Sequence, residues 1–198
     1  MTIAAILLAA GAPEGPLQPA ALLPFGGNGT LIEYQVAQLQ AAGVDVIEVV
    51  LGADADRILP LVSGNDVEPI LNPRPESIAA SFRVGASAVP RDTATAIVVN
   101  VEQPRPADVY RRLLDAHAAH GAAITRPTFE CTFGAPIVVD RAVLAELRNL
   151  TSDTFGLRPV LERHAASIVE VPFDSDIVLL EIRTAEDSDH ARAMFGLA

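Results

Sequence analysis

The chain contains no lysine, so all 14 of its basic residues are arginine. This absence excludes a Schiff base or a lysine–phosphate contact supplied by the chain itself. Against 25 acidic residues, the arginines leave a formal net charge of −11. Proteins that follow a nucleic-acid backbone do so with clustered cations, so this balance argues against DNA or RNA as a partner.

Cysteine and long apolar runs are also scarce. Cys131 is the only cysteine, which excludes an intramolecular disulfide and favours a reducing, cytoplasmic compartment, with Cys131 itself a small apolar filler. The apolar start, MTIAAILLAAG, is too short to cross a bilayer and lacks the basic flank of a signal peptide. We therefore expect a buried first strand, no membrane association, and one domain over residues 1–198.

The first half of the chain alternates between two kinds of segment. Short runs rich in isoleucine, valine and leucine predict strands buried on both faces. These runs are 3–8, 45–51, 67–71 and 95–100. Between and after them, apolar residues at helical spacing predict helices over 30–42, 53–62, 76–88 and 106–120. The alternation indicates an α/β fold with a mostly parallel sheet between helices and a ligand crevice at the carboxyl ends of its strands.

The second half is less regular. Its pattern predicts strands over 122–127, 135–140, 167–172 and 176–182, with helices over 141–149, 156–164 and 184–195. Thr184 is suited to cap the last helix. The four histidines lack the spacing of metal ligands, both with one another and with Cys131, so the sequence predicts no zinc site.

The opening of the chain carries a recognisable spacing. LAAG at 8–11 is followed by LLP at 22–24. This resembles the MobA-like nucleotidyltransferases, the molybdenum-cofactor guanylyl- and cytidylyltransferase group, whose pattern LAAG-x-S-x-R-M-G-x-x-K-x-LLP matches without a gap. Further segments resemble family motifs in the same order. They are ILNP (70–73), SIAASFRVG (77–85), VNVEQP (99–104), FGAP (133–136) and LEIRTAED (180–187).

The resemblance implies a Rossmann-like, three-layer α/β/α nucleotidyltransferase fold. In such a fold the backbone of the LAAG turn, Leu8, Ala9, Ala10 and Gly11, meets the base and sugar of CTP or GTP. Asn72 and Ser81 match family positions near the base and substrate, and Glu102 stands where the family has an aspartate that holds Mg²⁺. Simpler roles stay open: a glycine that only lets the chain turn, a strand terminator at Asn72, and an ordinary helix residue at Ser81.

The loop that should wrap the triphosphate departs from the pattern. Along the ungapped register, the family's Arg, Met, Gly and Lys fall on Gly15, Pro16, Leu17 and Ala20. Glu14 adds a negative charge, Pro13, Pro16 and Pro19 remove backbone N–H donors, and the first basic residue of the chain is Arg57. Because nucleotidyl transfer depends mainly on positioning and on neutralising phosphate charge, this loop disfavours triphosphate binding.

The metal side departs as well. Glu102 replaces the family's aspartate, and Arg183 stands where the second aspartate of D-I-D-T belongs. Arg183 could pair with Glu102 or Glu181 and so replace the ion. Alternatively, Arg183 is a catalytic residue that holds phosphate from the opposite side, with Arg83 or Arg105 helping.

Three hypotheses follow. The first is a family member with a degraded phosphate and metal site that acts as a binding or regulatory partner, still taking a nucleoside or small ligand. The alternative is an active Mg²⁺-dependent cytidylyl or guanylyl transferase, acting on a phosphorylated cofactor precursor with Glu102 and nearby arginines. The third is a structural subunit that pairs with another protein or with its own copy.

Overall fold

The computed structural model describes residues 2–11, 19–27, 29–62, 64, 66–72, 77–151 and 156–197. The strands are β1 Ile3–Ala9, β2 Val46–Leu51, β3 Val67–Leu71, β4 Thr95–Asn100, β5 Ile124–Phe129, β6 Thr132–Phe133, β7 Ile137–Asp140 and β8 Ile168–Pro172. The helices are α1 Leu31–Ala41, α2 Ala55–Ile58, α3 Ile78–Ala88, α4 Ala107–His120, α5 Arg141–Leu147, α6 Arg158–Arg163 and α7 Ala185–Met194. Short 3₁₀ turns cover Ala20–Leu22, Leu59–Leu61, Ala165–Ser167 and Asp176–Val178.

All eight strands belong to one mixed sheet. Its order is β3-β2-β1-β4-β7-β5-β6, and β8 also pairs with β5. Strands β1 to β4 run parallel, and β8 runs parallel to β5. Strand β7 lies antiparallel between β4 and β5, and β6 is antiparallel to β5. The sheet is therefore mostly parallel, as the alternation of strands and helices predicts.

Strand β1 contributes side chains to two apolar clusters, one on each face of the sheet. Because successive side chains of a strand point to opposite faces, Ala5 and Leu7 join one apolar cluster while Ala4 and Ile6 join the other. The first cluster packs the sheet against α1 and α4, and the second packs it against α3 and α5. Helices cover both faces of the sheet, which confirms the three-layer α/β/α fold.

Local signals in the sequence set several helix ends. Thr30 and Glu33 form a capping box at the start of α1, and Gly43 follows its end at φ 88°. Gly121 ends α4 in the left-handed conformation. Thr184 caps α7 by accepting the N–H of Asp187, which confirms the predicted cap. None of the described helices combines the length and apolarity that a bilayer crossing needs.

One predicted strand is wrong, and one predicted helix is only partly α-helical. Residues 176–182 do not form a strand: they begin with the 3₁₀ turn Asp176–Val178, whose start is held by the Ser175 hydroxyl on the Ile177 N–H. The predicted helix 53–62 is α-helical only over Ala55–Ile58, because Pro60 has no N–H to continue the helical hydrogen bonds. The sequence also gave no sign of the two-residue strand β6.

Candidate functional site

The carboxyl ends of the four parallel strands gather the residues that sequence reasoning singled out. Gly11 follows β1, Asn72 follows β3 and Glu102 follows β4. A methyl group built on the Gly11 α-carbon would lie 3.5 Å from Glu102 Oε1, so these two residues face each other. Asn72 Nδ2 donates a 3.3 Å hydrogen bond to the Oγ of buried Ser81. A parallel sheet is expected to take its ligand at this edge, and we call these strand ends the crevice.

Leu8 and Ala9 of the LAAG segment are the last residues of β1 and pair with neighbouring strands, so the turn itself consists of Ala10 and Gly11. The side chains of Leu8, Ala9 and Ala10 are buried in the two apolar clusters, whereas Gly11 is exposed. Ala20, where the family has its lysine, begins a 3₁₀ turn. The rest of the predicted phosphate loop, including Gly15, Pro16 and Leu17, lies outside the described residues.

Gly52 is a residue of this site that sequence reasoning missed. It directly follows β2, and a Cβ atom there would lie 2.5 Å from the carbonyl oxygen of Ala10. Real Cβ atoms do not approach a backbone oxygen so closely, so only glycine lets the turn after β1 pass over the end of β2. A glycine placed directly after a buried strand was the available signal.

Glu102 lies on a tightly held loop. The carbonyl of Glu102 accepts the N–H of Ile182 at 2.8 Å, and the N–H of the preceding Val101 donates to Leu8 O at 2.9 Å. Burial raises the pKa of the Glu102 carboxyl, and the nearby Glu181 raises it further, while its own backbone N–H acts in the opposite direction. The structure therefore holds this carboxyl where ionisation is disfavoured unless a cation or a hydrogen-bond donor accompanies it.

Arg183 pairs with Glu181 rather than with Glu102. Its guanidinium Nη2 lies 2.6 Å from Glu181 Oε2, and 74% of the Arg183 side chain is exposed. The Arg183 N–H also donates to Asp187 Oδ2 as part of the capping region of α7. Of the two pairings that the sequence allows, the structure thus has the one with Glu181.

The other two nominated arginines donate to backbone carbonyls. Arg83 Nη1 donates to Leu150 O at 3.0 Å. Arg105 is only 1% exposed, and it donates to three carbonyl oxygens. These are Ala135 O at 2.8 Å, Pro104 O at 2.6 Å and Val178 O at 2.8 Å. Burial lowers the pKa of Arg105 to about 10, so the side chain stays charged at neutral pH.

The carboxylates present do not make a magnesium site of the expected kind. Among the described residues, no three histidine, cysteine, aspartate or glutamate side chains come together. Magnesium at a nucleotide site takes one or two carboxylates and completes its shell with phosphates and water. Here Glu181 is already paired with Arg183, which leaves Glu102 alone, and the arginines that would hold the phosphates are engaged elsewhere. The described residues therefore supply one carboxylate for the ion, while the three arginines considered do not supply the phosphate contacts that would complete the site.

Comparison with known proteins agrees with this architecture. The model of the MobA-like NTP transferase domain matches residues 5–168. The bifunctional protein GlmU of Mycolicibacterium paratuberculosis is 30% identical over 132 residues, which is 61% of this chain and 27% of GlmU. The chain thus spans about a quarter of the length of the curated relatives that it matches.

Solved structures of similar fold cover nearly the whole chain. Rv0371c of Mycobacterium tuberculosis has a TM-score of 0.81 at 24% identity, with 96% of each chain covered. A second structure of Rv0371c, in complex with manganese, has a TM-score of 0.79 at 23% identity and covers 96% of this chain and 97% of its own. A nucleotidyl transferase from Methanothermobacter has a TM-score of 0.81 at 24% identity, covering 98% and 97%. With the family model matching most of its length, the chain belongs to the MobA-like NTP transferase family.

Proposed function

We propose that this chain binds a nucleoside or small ligand at the carboxyl ends of its parallel strands, and that it acts as a binding or regulatory partner without transferring a nucleotidyl group. The observation that carries the proposal is the engagement of the three arginines. Arg83 and Arg105 hold backbone carbonyls, and Arg183 is neutralised by Glu181. A triphosphate of about four negative charges would meet Glu102 with none of these arginines free to neutralise it, and an unpaired charge taken out of water costs several kcal/mol.

Backbone and uncharged polar groups at the strand ends support the binding of a nucleoside. The turn at Ala10 and Gly11 presents backbone at the end of the central strand, and Gly52 keeps the neighbouring strand end clear. Asn72 and Ser81 supply a polar pair at the end of β3. An uncharged nucleoside can use these groups for its base and sugar without needing a cation.

Titration with matched ligands tests the proposal. Melting temperatures are measured with cytidine, guanosine, CTP and GTP, each with and without Mg²⁺, because a ligand taken only by the folded chain raises stability by mass action. We expect a rise with one of the two nucleosides, and no further rise from the triphosphate with Mg²⁺. A rise that appears only with triphosphate and Mg²⁺ together would overturn the proposal.

The second candidate is Mg²⁺-dependent cytidylyl or guanylyl transfer to a phosphorylated cofactor precursor, such as that of the molybdenum cofactor. The approach of Glu102 to Gly11 favours it, since the family resemblance puts a metal-binding carboxylate there. The manganese complex of the similar Rv0371c also favours it. It requires phosphate-binding groups beyond those that the described residues supply. Under this candidate Glu102→Gln abolishes transfer, whereas under the first proposal there is no transfer to lose.

A further inference from the structure

A buried side-chain amide contacts the backbone of the loop after β4. Gln35 on α1 is completely buried, although glutamine is usually found at the surface. Its Nε2 lies 3.0 Å from Gln103 O, 3.3 Å from Asn100 O and 3.4 Å from Val101 O. These carbonyls flank Glu102 on both sides, so one side chain engages the backbone around the carboxylate of the crevice.

A second buried residue fixes the direction of that amide. The Tyr110 hydroxyl, on α4, donates to Gln35 Oε1 at 2.6 Å. Burial raises the pKa of Tyr110, so the hydroxyl keeps its proton and remains a donor. With its oxygen committed to Tyr110, the Gln35 amide must turn its N–H groups toward the loop.

The carbonyl of Glu102 itself has a donor from another segment of the chain. Gln35 reaches the carbonyls of Asn100, Val101 and Gln103, and the Ile182 N–H takes that of Glu102. The two N–H bonds of the Gln35 amide are thus shared among three carbonyls, and a second distant segment supplies the donor for the fourth. Such an arrangement leaves the Glu102 backbone little freedom and directs its side chain toward Gly11.

We infer that Gln35, oriented by Tyr110, is a positioning residue that holds the Glu102 loop against Gly11 and thereby shapes the ligand crevice. The inference rests on the proposed function in one respect: the crevice must take a ligand for the position of Glu102 to matter. The same amide would serve either candidate function, because both place the ligand beside Gly11 and Glu102.

The chain provides a matched control one turn away on the same helix. Gln38 Oε1 accepts the N–H of Ala107 at 2.9 Å, at the start of α4 and beyond the Glu102 loop. Gln35→Met and Gln38→Met each remove one side-chain amide of α1 while keeping the length of the side chain. Tyr110→Phe is the milder variant, since it leaves Gln35 in place but frees its orientation.

Two measurements are made on the full chain. The first is amide hydrogen exchange at Val101 and Gln103, which needs no ligand. The second is the dissociation constant for cytidine and guanosine. In Gln35→Met we expect both amides to exchange at least about tenfold faster and nucleoside binding to weaken about tenfold, as expected for one net hydrogen bond. Gln38→Met should change neither by more than about twofold, and Tyr110→Phe should fall between them.

The outcomes separate this inference from the proposed function. Equal exchange at Val101 and Gln103 in the two methionine variants would overturn the inference. So would a loosened loop in Gln35→Met with unchanged nucleoside affinity, because Gln35 would then act on the fold alone. If the wild-type chain bound neither nucleoside, the proposed function would fail, and the exchange rates would still decide whether Gln35 holds the loop.

Discussion

The two carboxylates of the crevice are held in opposite ways. Glu102 lies on a loop whose carbonyls from Asn100 to Gln103 are within hydrogen-bond reach of the buried Gln35 amide or of the Ile182 N–H. Glu181 lies on an irregular segment, where its described ionic partner is the exposed guanidinium of Arg183. The comparison teaches that the buried core fixes the backbone around Glu102, whereas Glu181 is held by an ion pair with a solvent-exposed arginine.

The largest expected effect comes from replacing Arg105, which follows Glu102 on the same loop, and the matched change is at Arg183, the partner of Glu181. Arg105→Met removes the side-chain donor of Ala135 O and Pro104 O and one of the two donors of Val178 O, so we expect a loss of about 2 to 4 kcal/mol in the free energy of unfolding. Arg183→Met removes an exposed ion pair and should cost less than about 0.5 kcal/mol. Denaturant unfolding of both variants measures the difference. Equal losses would mean that the two sides are not held differently.

A glycine at the strand ends gives the next effect. Gly52→Ala forces a methyl group against the carbonyl of Ala10, and the backbone shift should destabilise the chain by about 1 to 3 kcal/mol. Gly64→Ala is the control, because nothing lies within 4 Å of the position where its Cβ would be. The melting temperatures of the two variants measure the difference. Equal values would contradict the close contact between Gly52 and Ala10.

The smallest effect concerns an acidic residue inside the sheet. Glu48 on β2 is 4% exposed, and burial together with Glu68 on the neighbouring strand raises its pKa from 4.5 to about 7. The folded chain then binds more protons than the unfolded chain between these values, so Glu48 lowers stability as pH rises from about 4.5 to 7.

Glu48→Gln removes this dependence. At pH 8 we expect it to be more stable than the wild type by about 1 to 2 kcal/mol, with the difference vanishing near pH 4. Glu68→Gln should act in the same direction by less, since Glu68 is the second cause of the shift. Unfolding free energies measured from pH 4 to 8 provide the test. A difference between Glu48→Gln and wild type that did not vary with pH would show that Glu48 does not titrate in this range.

The sequence predicted the parts of the fold that depend on local pattern. The strands β1 to β4 and the ends of α1 and α4 follow from apolar runs and from Gly43 and Gly121. The run DIVLLEI has the same apolar content, yet it is not a strand. Its Val178 carbonyl accepts from the Ala135 N–H and from Arg105, which are contacts that no local pattern reveals.

The candidate site was predictable only as a set of positions. The family resemblance selected Gly11, Glu102, Asn72 and Ser81 one by one, and the structure shows that Gly11 lies beside Glu102 and Asn72 beside Ser81. The hydrogen bonds of the arginines could not be predicted from motif spacing. Arg105 donates to one adjacent carbonyl and to two that lie 30 and 73 residues away in the chain, and Arg83 donates to a carbonyl 67 residues away. The role of Gln35 depends likewise on α1 and α4 meeting under the β4 loop. Tertiary contacts of this kind decide the electrostatics of the crevice.

One crystallographic measurement tests the central claim, that the crevice keeps its geometry but lacks the charges a triphosphate needs. Crystals are soaked with CTP or GTP together with MnCl₂, and the anomalous signal of manganese is recorded. Our account predicts base and sugar density near Gly11, with no manganese peak at Glu102 and no ordered row of three phosphates. A manganese peak on the Glu102 carboxylate that bridges an ordered triphosphate would contradict it.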